Sequence, residues 1–264
     1  MESRSGIITL ITDFGTRDAY VGVMKGVICT IRPSARIVDI SHEVPPQDVA
    51  EGAYLLEAAY AWFPPGTVHL VVVDPGVGTH RRAIALYTRG HLFVGPDNGV
   101  LSPALQQERR FVHEISDVDY ALADRSDTFH GRDIFAPAAA HLASGISLER
   151  LGPAIDDYIV LDLPRPLLKG RRVEGQVVRV DRFGNGMTNI PRGMLRRLGE
   201  GPFVVFLGER SLGPLRRRYQ DAAAGEPLAL IGGDGRVEIA ANGASAAELL
   251  DISPGIPVRV IVSS

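Results

Sequence analysis

An alternation of short β-type runs with helix-spaced segments, ending in an abrupt Pro-Gly turn, constrains this chain more than any other feature. Ile7 to Thr12 reads as a strand, and Tyr20 to Ile31 places apolar residues at helical spacing and stops before Pro33. Ile37-Val38-Asp39-Ile40 is a second strand. Asp48 is placed to cap a helix running to about Trp62, which Pro64-Pro65-Gly66 then ends. Val68 to Val73 is a third strand. This β-α-β-α-β order predicts a largely parallel sheet with helices on its faces. Arg82 to Tyr87 and His91 to Val94 extend the strand pattern, Leu101 to Gln107 reads as a short helix, and Phe135 to Ala143 as a helix with Pro137 near its start.

A change of texture follows. Pro153, Pro164 and Pro166, then Lys169-Gly170-Arg171-Arg172, separate the first part from short strands at 173–180, 203–207, 228–231, 236–240 and 258–262. The expectation is an α/β N-terminal domain with a largely parallel central sheet over 1–160, a linker at 161–170, and an all-β C-terminal barrel domain over 171–264. At 264 residues the chain is long enough for both cores. A formal net charge of -3 gives no reason to expect a nucleic-acid or membrane partner. The lone cysteine, Cys29, excludes an internal disulfide and reads as a buried thiol in the first helix. The polar start, Met1-Glu2-Ser3-Arg4-Ser5, has no signal-peptide core, so a cytoplasmic protein is expected.

Chemistry concentrates where strands end. Asp74 follows Val71-Val72-Val73, and in open α/β sheets ligands bind beyond the carboxyl ends of the strands. Arg81 comes one short loop later, so a carboxylate and a guanidinium share one mouth. Asp74-Pro75-Gly76-Val77 also reads as a plain type II turn with Gly76 at positive φ. Asp13 ends the first strand, where a carboxylate can accept both hydroxyls of a ribose or simply hold a turn. Asp13-Phe14-Gly15 matches the kinase magnesium motif only in letters, because the other kinase loops are missing. His130, in Thr128-Phe129-His130-Gly131-Arg132-Asp133, is set apart from the other histidines of a total of 7 by its polar loop before a helix. His69, His91, His113 and His141 lie in strand-like or helix-like runs and read as structural, while His42 stays open. Asn98-Gly99 and Asp181-Arg182-Phe183-Gly184-Asn185 read equally as tight turns or as binding loops. No dinucleotide fingerprint, phosphate loop, serine elbow or zinc spacing is present.

Taken in order, Thr12–Gly15, Asp74–Thr79, Gly95–Gly99, Phe129–Asp133, Asp181–Asn185 and Glu238–Asn242 resemble one family, from about Ile7 to Val262. The chain is similar to the SAM hydroxide adenosyltransferases, adenosine-forming S-adenosyl-L-methionine (SAM) hydrolases related to the fluorinase and chlorinase. The resemblance implies catalytic Asp74, Arg81 and His130. It implies ribose binding by Asp13, the methionine amino group on Asp181, adenine and methionine contacts from Phe183 and Asn185, and an adenine-edge loop holding Glu238 and Asn242. It further implies a homotrimer with sites between subunits, SAM as substrate, and adenosine and L-methionine as products; no cofactor is expected, and no compact ligand spacing supports a metal. Halogenating relatives carry an aromatic residue at the Asp74 position, a polar residue at Val77 and Tyr-Ser at His130-Gly131, so this sequence departs from them. Pairing with Arg81 would make Asp74 a firm acceptor and a weaker base, and the general base stays open between His130 and the set acting together. Three rival readings are a SAM-dependent halogenase, a non-catalytic SAM or adenosine sensor, and a metal-dependent phosphohydrolase.

Overall fold

The computed structural model describes residues 4–263; Met1 to Ser3, part of the polar lead noted above, and Ser264 lie outside the described residues. The chain divides into two compact units between Asp162 and Leu163. In the first, the strands are β1 (Ile7–Thr12), β2 (Arg36–Ser41), β3 (Val68–Val72), β4 (Ala83–Thr88), β5 (His91–Pro96) and β6 (Arg110–Glu114). Between and after them run α1 (Tyr20–Ile31), α2 (Val49–Ala59), α3 (Ser102–Leu105) and α4 (Ala136–Ala143). The sheet order is β2-β1-β3-β5-β4-β6, parallel from β2 to β5, with β4 antiparallel to both its neighbours.

Alternation along the strands supplies both cores. Leu70 and Val72 face α1 and α4, packing with Met24, Ile28 and the small residues Ala136, Ala139 and Ala140. Val71 and Val73 face the other way, onto Leu56, Phe93, Leu101 and Ala104. A strand buried on both faces reads as a continuous apolar run, which is why Val71-Val72-Val73 is unbroken. α2 begins where Asp48 accepts the Glu51 amide at 2.9 Å. The β4–β5 turn uses Arg89 and Gly90 at positive φ, as a two-residue hairpin requires.

In the second unit the named strands pair antiparallel. Its strands are β7 (Leu167–Lys169), β8 (Arg172–Val180), β9 (Gly186–Pro191), β10 (Phe203–Leu207), β11 (Arg210–Pro214), β12 (Pro227–Ile231), β13 (Arg236–Ala241) and β14 (Pro257–Val262), with helices α5 (Arg192–Leu198) and α6 (Ala246–Leu250). The order is β11-β10-β14-β8-β9-β13-β12, with β7 on β8. The Arg216 amide donates to Ala229 O at 2.7 Å, bringing the chain after β11 onto β12 and nearly closing a barrel around Val173, Val205, Ile239 and Val260.

Several sequence expectations are corrected. Cys29 is exposed, because the buried stripe of α1 is Val21, Met24 and Ile28, and the next position turns away. Within the 161–170 linker, Leu167–Lys169 pair with β8. The helix at 101–107 is shorter, and β6, β9, β11, α5 and α6 add to the elements read from the sequence. Among the described residues no helix is long and apolar enough to cross a membrane. Phe93 lies fully buried at the centre of the first sheet, so Phe93→Ala is expected to cost about 3–5 kcal/mol. Denaturant unfolding of the first unit checks this; a loss below about 1 kcal/mol would show that the neighbours collapse into the space.

Candidate active site

Asp74 stands two residues beyond β3, and the loop that follows returns Arg81 to it. Val77 N donates to Asp74 O at 3.2 Å, and Thr79 Oγ1 donates to Gly76 O at 2.7 Å. Gly76 is not at positive φ, contrary to the type II turn; Gly78 is, at φ 76°. A Cβ on Gly78 would lie 2.4 Å from the Asp127 carbonyl. Gly78 therefore lets this loop meet the 126–130 segment.

That close approach puts His130 beside Arg81. The Arg81 Nε donates to Asp74 Oδ1 at 2.9 Å and Oδ2 at 3.1 Å, and its Nη2 bonds Asp74 Oδ2 as well. The same Nη2 lies 2.8 Å from His130 Nδ1. An arginine nitrogen only donates, so Nδ1 must accept, and the neutral ring carries its proton on Nε2. The carboxylate side chain is 5% exposed and the guanidinium 10%. The fully buried Phe135 ring packs under Arg81, 5.1 Å from Cζ. Burial lowers the His130 pKa below its ordinary 6.5, and the positive charge of Arg81 lowers it further.

His130 opens a π-helical turn, Gly131–Phe135, in which the Ala136 amide reaches back to Gly131 O. Asp133 anchors it. Burial would raise its carboxyl, but Arg132 Nε at 2.6 Å and the Ser126 amide at 2.8 Å outweigh that and hold it below the usual carboxylate value. Arg132 stacks on Phe129 at 5.2 Å.

At the end of β1, Asp13 Oδ2 accepts the Gln47 amide at 2.8 Å. Asp13 Oδ1 has no hydrogen-bond partner among the described residues. Asn98 serves as a turn residue: its Nδ2 holds Val73 O at 2.8 Å and its Oδ1 accepts Val100 N. His69, buried between Thr9 and His91, is pushed down to about 3 by burial first and His91 second, which fits a structural histidine.

In the second unit, Asp181 and Asn185 meet in the loop joining β8 to β9. Asp181 Oδ1 accepts the Phe183 and Asn185 amides at 2.9 and 2.8 Å, and Oδ2 accepts Asn185 Nδ2 at 3.0 Å. Phe183 projects from this loop 76% exposed. Glu238, on β13 beside β9, is buried and accepts the Tyr219 hydroxyl at 2.8 Å. Burial pushes the Glu238 carboxyl up; burial, then Glu238, pushes Tyr219 up to about 12. Asn242 stands apart from this pair, its Nδ2 spent on Ala222 O at 2.9 Å. Among the described residues no group of three or more His, Cys, Asp or Glu is placed to hold a metal ion. No local sequence signal marks Phe135, Gln47 or Tyr219, since each acts through a partner from another segment.

The chain matches the SAM hydroxide adenosyltransferase N-terminal domain over residues 8–152 and the C-terminal domain of the same family over 175–259. It belongs to the SAM hydroxide adenosyltransferase family. Within that family it is 42% identical to the (R)-S-adenosyl-L-methionine hydrolase of Thermus thermophilus over 262 residues, covering 96% of this chain and 99% of that one. The (R)-S-adenosyl-L-methionine hydrolase of Salinispora tropica is also 42% identical, over 258 residues, with 96% and 97% covered. A fluorinase of Actinoplanes is more distant, 28% identical over 288 residues with 96% and 97% covered. The crystal structure of an uncharacterized conserved protein from Thermotoga maritima superposes with a TM-score of 0.90 at 40% identity, covering 97% of this chain and 99% of that one.

Arg81 both bonds His130 and repels its proton. Replacing Arg81 by Met should therefore raise the His130 pKa from its depressed position, because the repelling charge is lost while Asp74, which favours the proton, remains. Titration of the His130 ring by NMR checks this, and an unmoved midpoint would remove the guanidinium from control of the imidazole.

Proposed function

We propose that this protein hydrolyses SAM at the ribose 5′ carbon, giving adenosine and L-methionine. The observation that carries the reading is the single hydrogen-bonded chain Asp74–Arg81–His130 at the strand ends, in a member of this family. The sulfonium is already an excellent leaving group, so the protein's task is to place and deprotonate a water. Asp74 accepts an O–H of that water, and His130, neutral with its proton on Nε2, donates to the water oxygen. This division of roles follows from Arg81 occupying His130 Nδ1. The oxygen attacks C5′ as the C5′–S bond breaks, the bonding pair leaves on the methionine sulfur, and the water proton departs through Asp74. Attack by an oxygen gaining negative character on a sulfonium neutralises charge, and the nearly closed-off Asp74–Arg81 pair supplies the water-poor setting that favours it.

Asp13 receives the ribose hydroxyls through its open Oδ1. Asp181 retains acceptor capacity on Oδ2 for the methionine ammonium, and the exposed Phe183 ring offers a face to the purine. Asn185 shapes that loop, Glu238 faces the adenine edge from β13, and Asn242 fixes the following turn. The reading includes a homotrimer with sites between subunits; exposed Trp62, Phe111 and Phe183 are the kind of surface an interface covers. SAM is substrate and no cofactor is invoked. A single free thiol makes no demand for an oxidising compartment, in keeping with a cytoplasmic enzyme.

Asp74→Ala and His130→Ala are expected to lower kcat by about 10²–10⁴-fold while adenosine affinity changes little, because neither residue holds the nucleoside. Protonating His130 would force a proton onto Nδ1 against Arg81. Activity should therefore be full where the ring is neutral and fall as pH drops through a pKa below 6.5. Turnover assays across pH check both. Wild-type rates in either variant, or an acid limb centred above 6.5, would contradict the assignment.

A further inference from the structure

A buried histidine outside the Asp74–Arg81–His130 chain is tied to the strand end that carries Asp13. His42 is 5% exposed, and its Nδ1 lies 2.8 Å from Thr12 Oγ1. Its Nε2 is buried, 3.1 Å from Asp39 Oδ1 in a poorly aligned approach, with no better-aligned partner among the described residues. Asp39 is held in turn by Lys25 of α1 at 2.6 Å.

A break in strand register makes this meeting happen. β1 and β2 run in step up to Leu10 opposite Asp39, and then Ile11 stands opposite Ser41, so Ile40 is an extra residue. Without it Thr12 would stand level with Ser41, and the histidine would point to the other face of the sheet.

The proton positions follow from the partners. A neutral His42 must present N–H, not a lone pair, to the Asp39 carboxylate, so Nε2 carries the proton and Nδ1 accepts from the Thr12 hydroxyl. The Thr12 oxygen is then free to accept Phe14 N, at 3.3 Å. One hydroxyl thus bridges the backbone on both sides of Asp13. His42 touches the same turn again, its carbonyl accepting Gly15 N at 2.8 Å, and five residues on, Gln47 gives its amide to Asp13 Oδ2 while held at φ 68°.

We infer that His42 is a positioning residue: with Thr12, and braced by Asp39, it fixes the turn that aims the Asp13 carboxylate at ribose hydroxyls. The inference rests on the assignment of Asp13 to the ribose under the proposed function. It predicts that the Thr12–His42 pair governs discrimination for the ribose hydroxyls rather than nucleoside binding in general.

Calorimetry with adenosine and 2′,3′-dideoxyadenosine separates the two. Wild type should prefer adenosine by about tenfold or more, the weight of a hydrogen bond to a charged acceptor, and Asp13→Ala should abolish that preference. Thr12→Val, which keeps volume, and His42→Gln, whose amide nitrogen takes the Nε2 position beside Asp39 and leaves no acceptor at the Nδ1 position beside Thr12, should each cut the preference by about threefold to tenfold. Neither should have a further effect in the Asp13→Ala background. His42→Asn, whose carbonyl can still accept from Thr12, should retain most of it. If Thr12→Val or His42→Gln weakens both nucleosides equally and leaves the preference intact, the pair is merely structural and the inference fails. A wild type without preference, or one that survives Asp13→Ala, overturns the ribose assignment itself, an outcome read in different proteins from the first.

Discussion

A guanidinium offers five N–H donors in one plane, and Arg81 divides them between a carboxylate and an imidazole. This sharing determines much else in the site. It leaves His130 Nδ1 able only to accept, so the neutral imidazole carries its donor on Nε2. Burial first, and then the fixed positive charge of Arg81, lower the His130 pKa and so favour the neutral ring. A lysine at 81 would supply charge without the fork. The Phe135 face beneath Arg81 and the small volume of Gly76, where a Cβ would stand 3.2 Å from Arg81 Cγ, keep the guanidinium in place.

The fold brings these groups together because strand ends are where a parallel sheet stops satisfying its own backbone. Asp13 follows β1, His42 follows β2 and Asp74 follows β3, all beyond the carboxyl ends of parallel strands of the first sheet. His130 arrives from the loop before α4 through the contact of Gly78 with Asp127. Two irregularities adjust this end of the sheet: the extra residue at Ile40 and the π-helical turn after His130. Each is a local departure from regular geometry next to chemistry, where bulges and π-turns recur.

Much of this was legible in the sequence, and the reasons are particular. Val71-Val72-Val73 followed by Asp-Pro-Gly leaves little choice but a buried strand with a carboxylate at its end. Asp48 before Val49 announces a capped helix. The β9 strand was harder to see, because its buried Thr188 and Asn189 are polar residues satisfied by Val237 O and the Gln176 amide, contacts that no local pattern encodes. β11 is an edge strand ending in Pro214 and lacks an apolar face to advertise it. Cys29 follows buried Ile28 by one helical position, and an apolar run alone does not separate the two faces. In the site, Asp74, Arg81 and His130 stood out by loop setting and family resemblance, but the tautomer of His130 and the register break beside His42 are tertiary facts. Tyr219 gives no signal as the partner of Glu238, 19 residues away along the chain.

The most direct test of the account follows oxygen. Purified protein is incubated with SAM in water enriched in oxygen-18, with chloride present, and the nucleoside products are separated and weighed by mass spectrometry. Adenosine and methionine are expected in equal amounts, with the heavy oxygen in the adenosine 5′-hydroxyl. Adenosine without the label, 5′-chloro-5′-deoxyadenosine, or intact SAM that stays bound to the protein would contradict hydrolysis at C5′.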